Sequence, residues 1–138
     1  MKVLSTVKYL GNLRTECTHL ASGSVIHTDA PVDNMGKGEL FSPTDLCATM
    51  LCACASTIMG IYAQSHDISI DGMTSEVTKV MSSDSPRRIV QIDVVFTMPD
   101  QDYTDKQKTS LERAALTCPV HFSLHPDLKQ NFVFKWAK

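Results

Sequence analysis

The stretch Ser42-Pro-Thr-Asp-Leu-Cys-Ala-Thr-Met-Leu-Cys-Ala-Cys-Ala-Ser-Thr-Ile-Met-Gly-Ile-Tyr-Ala63 decides the fold. Ser42 is a suitable N-cap, and Pro43 occupies a first helical position that needs no amide donor. Asp45 places a negative charge in the first turn, where the helix dipole favours it. Large apolar residues then recur at helical spacing. Hardly a charge follows before Asp67, so we expect a central helix that is buried nearly all round.

Composition limits the class of protein. With 138 residues, the chain is long enough for one domain with a real core and too short for two, so we expect a single domain over residues 1–138. The 13 Lys and Arg residues against 15 Asp and Glu give no electrostatic basis for nucleic-acid binding. Lys8 interrupts the apolar core that a signal peptide would need, and we expect no apolar run of membrane-spanning length.

The cysteine content indicates the redox compartment. Five cysteines, an odd number with three of them in the central stretch, do not form the disulfide framework of a secreted domain. We therefore expect a reduced, cytoplasmic protein.

Alternating patterns predict strands on both sides of the helix. Residues 2–28 predict a hairpin that turns at Gly11-Asn12, followed by a third strand. Residues 29–41 have the composition of a loop, and a loop of that length ahead of a central helix is often functional. A capping box at Thr104-x-x-Gln107 predicts a second helix. The predicted strands after the central helix cover residues 68–80, 90–96 and 132–136. The order β-β-β-α-β-β-α-β predicts an α+β fold with mostly antiparallel sheets around a long central helix.

Most of the cysteines have a simple structural interpretation. Free cysteine behaves as a small hydrophobe and is commonly buried and inert, which we expect of Cys17, Cys47 and Cys52. Cys118 directly precedes Pro119, which predicts a helix N-cap. At that position amide donors and the helix dipole favour thiolate over thiol, so Cys118 is a candidate reactive cysteine.

Two cysteine motifs together resemble a known family. The segment from Ser42 to Ala55, followed by Leu116-Thr-Cys-Pro-Val-His-Phe-Ser-Leu124, is similar to the OsmC/Ohr family of thiol peroxidases. In that family a Pro-x-acid-Leu helix start precedes a buried reactive cysteine, and a second cysteine lies in a Cys-Pro-Val…Ser-Leu motif. The match covers nearly the whole chain. The resemblance implies an OsmC-like fold and an intertwined homodimer with active sites at the interface.

The resemblance also implies catalytic roles. Cys54, eleven positions after Pro43, matches the peroxidatic cysteine, and Cys118 matches the resolving cysteine. The family uses an arginine of the N-terminal hairpin to hold the thiolate, and Arg14 is the only arginine ahead of Cys54. The alternative for Arg14 is a solvated charge on a strand face beside Glu16. In the functional interpretation Arg14 serves the Cys54 of the other subunit.

The acidic position departs from the family pattern. Ohr-type members carry Glu directly after the proline, where this chain has Thr44. Asp45 is the nearest acid and is therefore the candidate acidic site residue. Ala55 also stands where many members have an aromatic residue. These departures indicate a divergent OsmC-like branch.

The implied reaction is thiol-dependent peroxide reduction. Attack by the Cys54 thiolate on the O–O bond leaves a sulfenic acid, which Cys118 condenses to a disulfide. A dithiol reductant of the lipoyl or thioredoxin type must then reopen the disulfide by exchange. No metal or prosthetic cofactor is required. An apolar wall around Cys54 would favour an organic hydroperoxide over hydrogen peroxide; its expected members are Met50, Leu51 and Ile58, with Phe122 as a further candidate.

Two alternatives remain open. Cys52 and Cys54 with Cys118 and His121 supply four residues of zinc-ligand type, but the first two point about 200° apart on one helix. The second alternative is a non-catalytic ligand-binding or interaction protein whose cysteines fill the core. A peroxidase consumes hydroperoxide with loss of free thiol, zinc would appear in elemental analysis, and a binding module shows neither.

Overall fold

Two three-stranded sheets and three α-helices make up the part of the chain that the computed structural model describes, residues 1–137. The chain divides into two compact units, Met1–Cys47 and the part that begins at Ala48. Three of the four strand pairings are antiparallel. The predicted α+β class is therefore confirmed, whereas the single domain over residues 1–138 stays a prediction.

The first unit contains an antiparallel sheet. Its strands are β1 (Ser5–Gly11), β2 (Arg14–His19) and β3 (Val25–Asp29), in the order β1-β2-β3. The hairpin turn lies one residue later than predicted, because Gly11 pairs with Arg14 and leaves Asn12 and Leu13 as the turn. Both turn residues have positive φ, 55° and 64°, which is the left-handed pair that the tight turns of hairpins require.

The loop after β3 contains a short 3-10 helix, Val32–Asn34, and ends at the start of α1 (Pro43–Ser65). Ser42 Oγ accepts a hydrogen bond from the Asp45 backbone N–H at 3.1 Å, and the Asp45 carboxylate accepts one from the Ser42 N–H at 3.0 Å. This reciprocal pair is a capping box in which Asp occupies the place of Glu. The predicted cap and helix start are confirmed.

The α1 helix is buried on one face rather than all round. Its buried residues are Ala48, Leu51, Cys52, Ala55, Met59 and Ala63. Met50 and Ile61 are exposed, so the expectation of nearly complete burial is wrong. The expectation of no run of membrane-spanning length is also wrong, because α1 is long and apolar enough to cross a membrane by length and composition. The core helix of a soluble protein passes the same test, and one face of α1 packs in a protein core.

The second unit contains the sheet β4-β5-β6. Its strands are β4 (Thr74–Met81), β5 (Ile89–Thr97) and β6 (Lys129–Lys135), with β5 and β6 parallel. The predicted strand from residue 68 begins six residues late, at Thr74. Asp67 and Gly72 both adopt positive φ, so the chain turns there before it becomes extended. Alternate β5 residues, Ile92, Val94 and Phe96, lie fully buried in the core.

Two further helices complete the second unit. The α2 helix (Asp105–Ala115) begins with the predicted capping box, in which Thr104 and Gln107 bond reciprocally. Its Leu111 is fully buried in the core. The sequence analysis did not separate out α3 (Pro119–Ser123), a five-residue helix with Cys118 as its N-cap.

Candidate active site

Cys54 and Cys118 lie near each other in the second unit. Cys54, on α1, is half-buried and packs against the core, and Cys118 is fully buried. The Cys54 thiol is near enough to raise the pKa of the Cys118 thiol. The structure therefore brings together the two cysteines that the sequence analysis selected, across 64 positions of the chain.

The N-cap of α3 fixes the position of the Cys118 sulfur. Cys118 Sγ accepts a hydrogen bond from the His121 backbone N–H at 3.2 Å, which confirms the predicted N-cap. Gln130 on β6 holds the same turn, because its amide nitrogen donates to the His121 carbonyl at 3.1 Å and its amide oxygen contacts the His121 ring. The sulfur is thus supported by a turn that is itself bonded to the sheet.

Burial, rather than the helix cap, dominates the ionisation of Cys118. Burial raises the pKa of the Cys118 thiol, the His121 amide lowers it, and the neighbouring Cys54 thiol raises it further. The cap lowers the pKa of Cys118 as expected, but removal from water outweighs the His121 and Val120 amides, so the net shift favours the thiol and not the expected thiolate. Cys118 keeps its proton more strongly than an ordinary cysteine, and Cys54 is the more accessible sulfur of the pair.

The other three cysteines lie in different surroundings. Cys52 is buried, with Sγ 4.0 Å from the Ser56 hydroxyl, as expected. Cys17 and Cys47 are half-buried, so full burial is confirmed for Cys52 and not for these two. Among residues 1–137, no three or more His, Cys, Asp or Glu side chains converge to hold a metal ion.

Arg14 is paired with two acids that the sequence analysis did not identify. Its guanidinium forms an ion pair with Glu39 and lies 3.6 Å from the buried carboxylate of Asp29. Glu16, the neighbour expected from the sequence, instead lies 3.3 Å from His27. The available sequence signal was the loop over residues 29–41, whose two ends supply Asp29 and Glu39.

The apolar surroundings of α1 differ in part from the expected wall. Leu51 is fully buried in the core, whereas Met50 and Phe122 are exposed. Ile58 follows Cys54 by one helical turn and lines a groove of about 470 Å³. The other residues of this groove are Ile61, Tyr62, Ser110, Arg113, Ala114 and Thr117.

The structure thus combines an α+β fold with one cysteine at the N-cap of α3 and a second cysteine nearby on α1. The family model described as OsmC-like protein matches residues 36–131. The chain belongs to this OsmC-like family, and the resemblance found in its cysteine motifs is confirmed.

Solved structures share the fold over nearly the whole chain. A protein from Psychrobacter arcticus 273-4, provisionally named an osmotic stress induced and detoxification response protein, is 48% identical over 97% of this chain and 96% of its own, with a TM-score of 0.92. An organic hydroperoxide resistance protein OsmC from Legionella pneumophila is 16% identical over 98% of each chain, with a TM-score of 0.71. The organic hydroperoxide resistance protein OhrB of Bacillus subtilis is 18% identical over 96% of this chain and 98% of its own, with a TM-score of 0.67. No curated protein matches the chain.

We predict that the Cys118 thiol stabilises the reduced protein less at alkaline pH. Because its folded-state pKa is raised, the stability that it contributes is complete below the pKa of the unfolded thiol, about 8.5, and is lost as the pH rises through the folded-state pKa. Urea unfolding of the wild type should therefore show a steeper alkaline loss of stability than that of Cys118→Ala. Cys47→Ala controls for loss of a cysteine outside the pair. Parallel pH curves for wild type and Cys118→Ala would contradict the prediction.

Proposed function

We propose that this protein is a cysteine-based, thiol-dependent peroxidase that reduces organic hydroperoxides through a Cys54 sulfenic acid and a Cys54–Cys118 disulfide. The supporting observation is the proximity of a half-buried cysteine to a fully buried one, whose pKa it raises. A sulfenic acid is captured fastest by a thiol already beside it, and the buried partner is shielded from competing oxidants. Membership of the OsmC-like family adds independent support.

The proposed first step is a two-electron oxidation of Cys54. Its thiolate attacks one oxygen of the hydroperoxide, the O–O bond breaks, and the alkoxide leaves and takes up a proton to become the alcohol. The sulfur keeps the attacked oxygen as a sulfenic acid. This step needs the thiolate at Cys54 and a donor for the leaving oxygen.

The second step forms the disulfide. Cys118 gives up its proton, its sulfur attacks the Cys54 sulfur, and the hydroxyl leaves with that proton as water. The strongly held proton of Cys118 makes it a poor first nucleophile towards peroxide, which leaves the first step to Cys54. A dithiol of the lipoyl or thioredoxin type then reduces the disulfide through a mixed disulfide and restores both thiols.

Arg14 and Asp45 complete the proposed site. The resemblance assigns Arg14 the task of holding the Cys54 thiolate, which a guanidinium does by charge and by its forked donors. Asp45 is proposed as a positioning acid, because its carboxylate closes the capping box at the start of the helix that carries Cys54. The names of the Legionella and Bacillus relatives, both organic hydroperoxide resistance proteins, support an organic rather than an inorganic peroxide as substrate.

We further propose a homodimer in the cytoplasm, where reducing conditions keep the cysteines free. Within residues 1–47, all of which the structure describes, the buried residues are Thr28, Asp29 and Ser42, and all three are polar. The same segment exposes many large apolar side chains, including Val7, Tyr9, Leu10, Val25 and Ile26. A sheet without an apolar core of its own needs a covering surface, and a second copy of the chain is the proposed one.

We predict that Cys54→Ser abolishes consumption of cumene hydroperoxide in the presence of a dithiol, because serine does not form the nucleophilic thiolate. Cys52→Ser should keep most of the activity, since Cys52 is buried and lies on another face of α1. Loss of hydroperoxide and of free thiol are measured together. An inactive Cys52→Ser beside an active Cys54→Ser would contradict the assignment, and an inactive wild type would favour a non-catalytic binding protein.

We predict that Cys118→Ser separates the two steps. One equivalent of hydroperoxide should still oxidise Cys54, but the sulfenic acid should go on to sulfinic and sulfonic acids under excess oxidant. Dithiol-dependent turnover should fall accordingly. In the wild type, mass spectrometry should detect a linked Cys54–Cys118 peptide pair. If no linked pair forms and the variant turns over like the wild type, Cys118 only packs.

We predict a dimer at micromolar concentration, measured by sedimentation velocity. A charge on the exposed face of the first sheet, as in Val7→Glu, should shift the protein towards the monomer because it would be buried at the proposed interface. Lys8→Glu changes charge at the adjacent position, whose side chain points to the other face of the strand, and serves as the control. A monomeric wild type would refute the proposal.

A further inference from the structure

Gln130 binds the first turn of α3 through both ends of its side-chain amide. Its amide oxygen contacts Nδ1 of the His121 ring, and its amide nitrogen donates to the His121 backbone carbonyl at 3.1 Å. The backbone N–H of the same histidine donates to Cys118 Sγ at 3.2 Å. One side chain of β6 therefore holds the residue that holds the buried sulfur.

The two bonds fix the orientation of the amide and the tautomer of the ring. A carbonyl oxygen can only accept a hydrogen bond, so the amide nitrogen of Gln130 must face the His121 carbonyl and the amide oxygen must face the ring. The amide oxygen can also only accept, so Nδ1 of His121 carries a proton. Donors and acceptors therefore match in one arrangement of the two residues.

The α3 helix needs support from outside itself. It has five residues, and a helix of this length is not stable on its own. Gln130 lies opposite Ile92 in the register of β6 and the central strand β5, and Ile92 is fully buried in the core. The sheet is thus the firm part of the second unit, and Gln130 places the α3 turn relative to it.

The second step of the proposed reaction depends on where this turn lies. A disulfide requires Cα atoms roughly 4.4–6.8 Å apart and a narrow range of torsion angles. Cys118 is fully buried and is the N-cap of α3, so the turn sets the direction of its sulfur. The His121 amide also lowers the pKa of the Cys118 thiol, against the larger effect of burial. A displaced turn would therefore reduce both the alignment of the sulfur and its ionisation.

We infer that Gln130 is a positioning residue for Cys118, acting through His121, and that it sets the rate at which the Cys54 sulfenic acid becomes a disulfide. This inference rests on the proposed function and adds a residue to its second step. In that step Cys118 loses its proton, its sulfur bonds to the Cys54 sulfur, and the sulfenic hydroxyl leaves with the proton as water. The first step does not use Cys118, so a change at Gln130 should not affect it.

The experiment compares Gln130→Leu and Gln130→Glu with Gln91→Leu and the wild type. Gln130→Leu removes both bonds to His121 at a similar side-chain size. Gln130→Glu keeps an oxygen for the ring, but its carboxylate cannot donate to the carbonyl. Gln91→Leu is the matched control, because Gln91 is a half-buried glutamine of β5 whose amide donates to Asp93 and not to α3.

Each protein is mixed with limiting cumene hydroperoxide in a single turnover. Loss of hydroperoxide reports the first step, and the appearance of the linked Cys54–Cys118 peptide pair reports the second. The fraction of Cys54 that becomes sulfinic acid under excess hydroperoxide shows how often the sulfenic acid escapes capture. The melting temperature of each protein is measured as well.

Gln130→Leu should form the linked pair roughly tenfold more slowly than the wild type, since misplacing reacting groups by part of a contact distance has effects of this size. Its loss of hydroperoxide should keep the wild-type rate, and more of its Cys54 should become sulfinic acid. Gln130→Glu should fall between Gln130→Leu and the wild type. Gln91→Leu should behave as the wild type.

A wild-type rate of pair formation in Gln130→Leu overturns the inference alone. So does an equal slowing of both steps with a lowered melting temperature, or an equal effect of Gln91→Leu, since either would mean a general structural role. If Gln130→Leu does not fold, Gln130→Glu decides by the same criteria. A wild type that consumes no hydroperoxide, or consumes it without forming the linked pair, overturns the proposed function and the inference with it.

Discussion

The proximity of the Cys54 and Cys118 thiols is the feature on which the proposed chemistry of this protein depends. Two weakly polar groups lie near each other at the core, one half-buried and one with no access to water. Burial suppresses ionisation of the inner sulfur and leaves the outer one to meet a solute. The proposed division of labour between two otherwise identical side chains therefore rests on their difference in solvent access.

Helix caps hold the two cysteines in position. The Ser42–Asp45 capping box begins α1, and the sulfur of Cys118 itself caps α3. Gln130 then bonds the α3 turn to β6, which packs beside the central strand β5. A side chain that caps a helix has little rotational freedom, because its acceptor must face the first-turn amides. The hydrogen bond that gives the His121 N–H of α3 an acceptor thus also fixes the direction of the Cys118 sulfur.

In the first unit, Arg14 and the carboxylates of Asp29 and Glu39 form one charged cluster. Its buried member, Asp29, requires a cation for electrostatic reasons, whatever the function of the cluster. The same unit exposes many large apolar side chains, which is the observation behind the proposed dimer.

The sequence by itself determined the class of the fold, the cap and start of α1, and the capping box that begins α2. These features depend on local patterns: cap residues act within one helical turn, and strand alternation is read directly from the chain. Tertiary structure decided the rest. The raised pKa of Cys118 comes from burial by residues distant in sequence, which outweighs the local cap. The apolar composition of α1 predicted burial all round, but the structure packs one face and leaves Met50 and Ile61 exposed. Glu39 reaches Arg14 across 25 positions, and no local pattern encodes a pairing that only the folded loop creates.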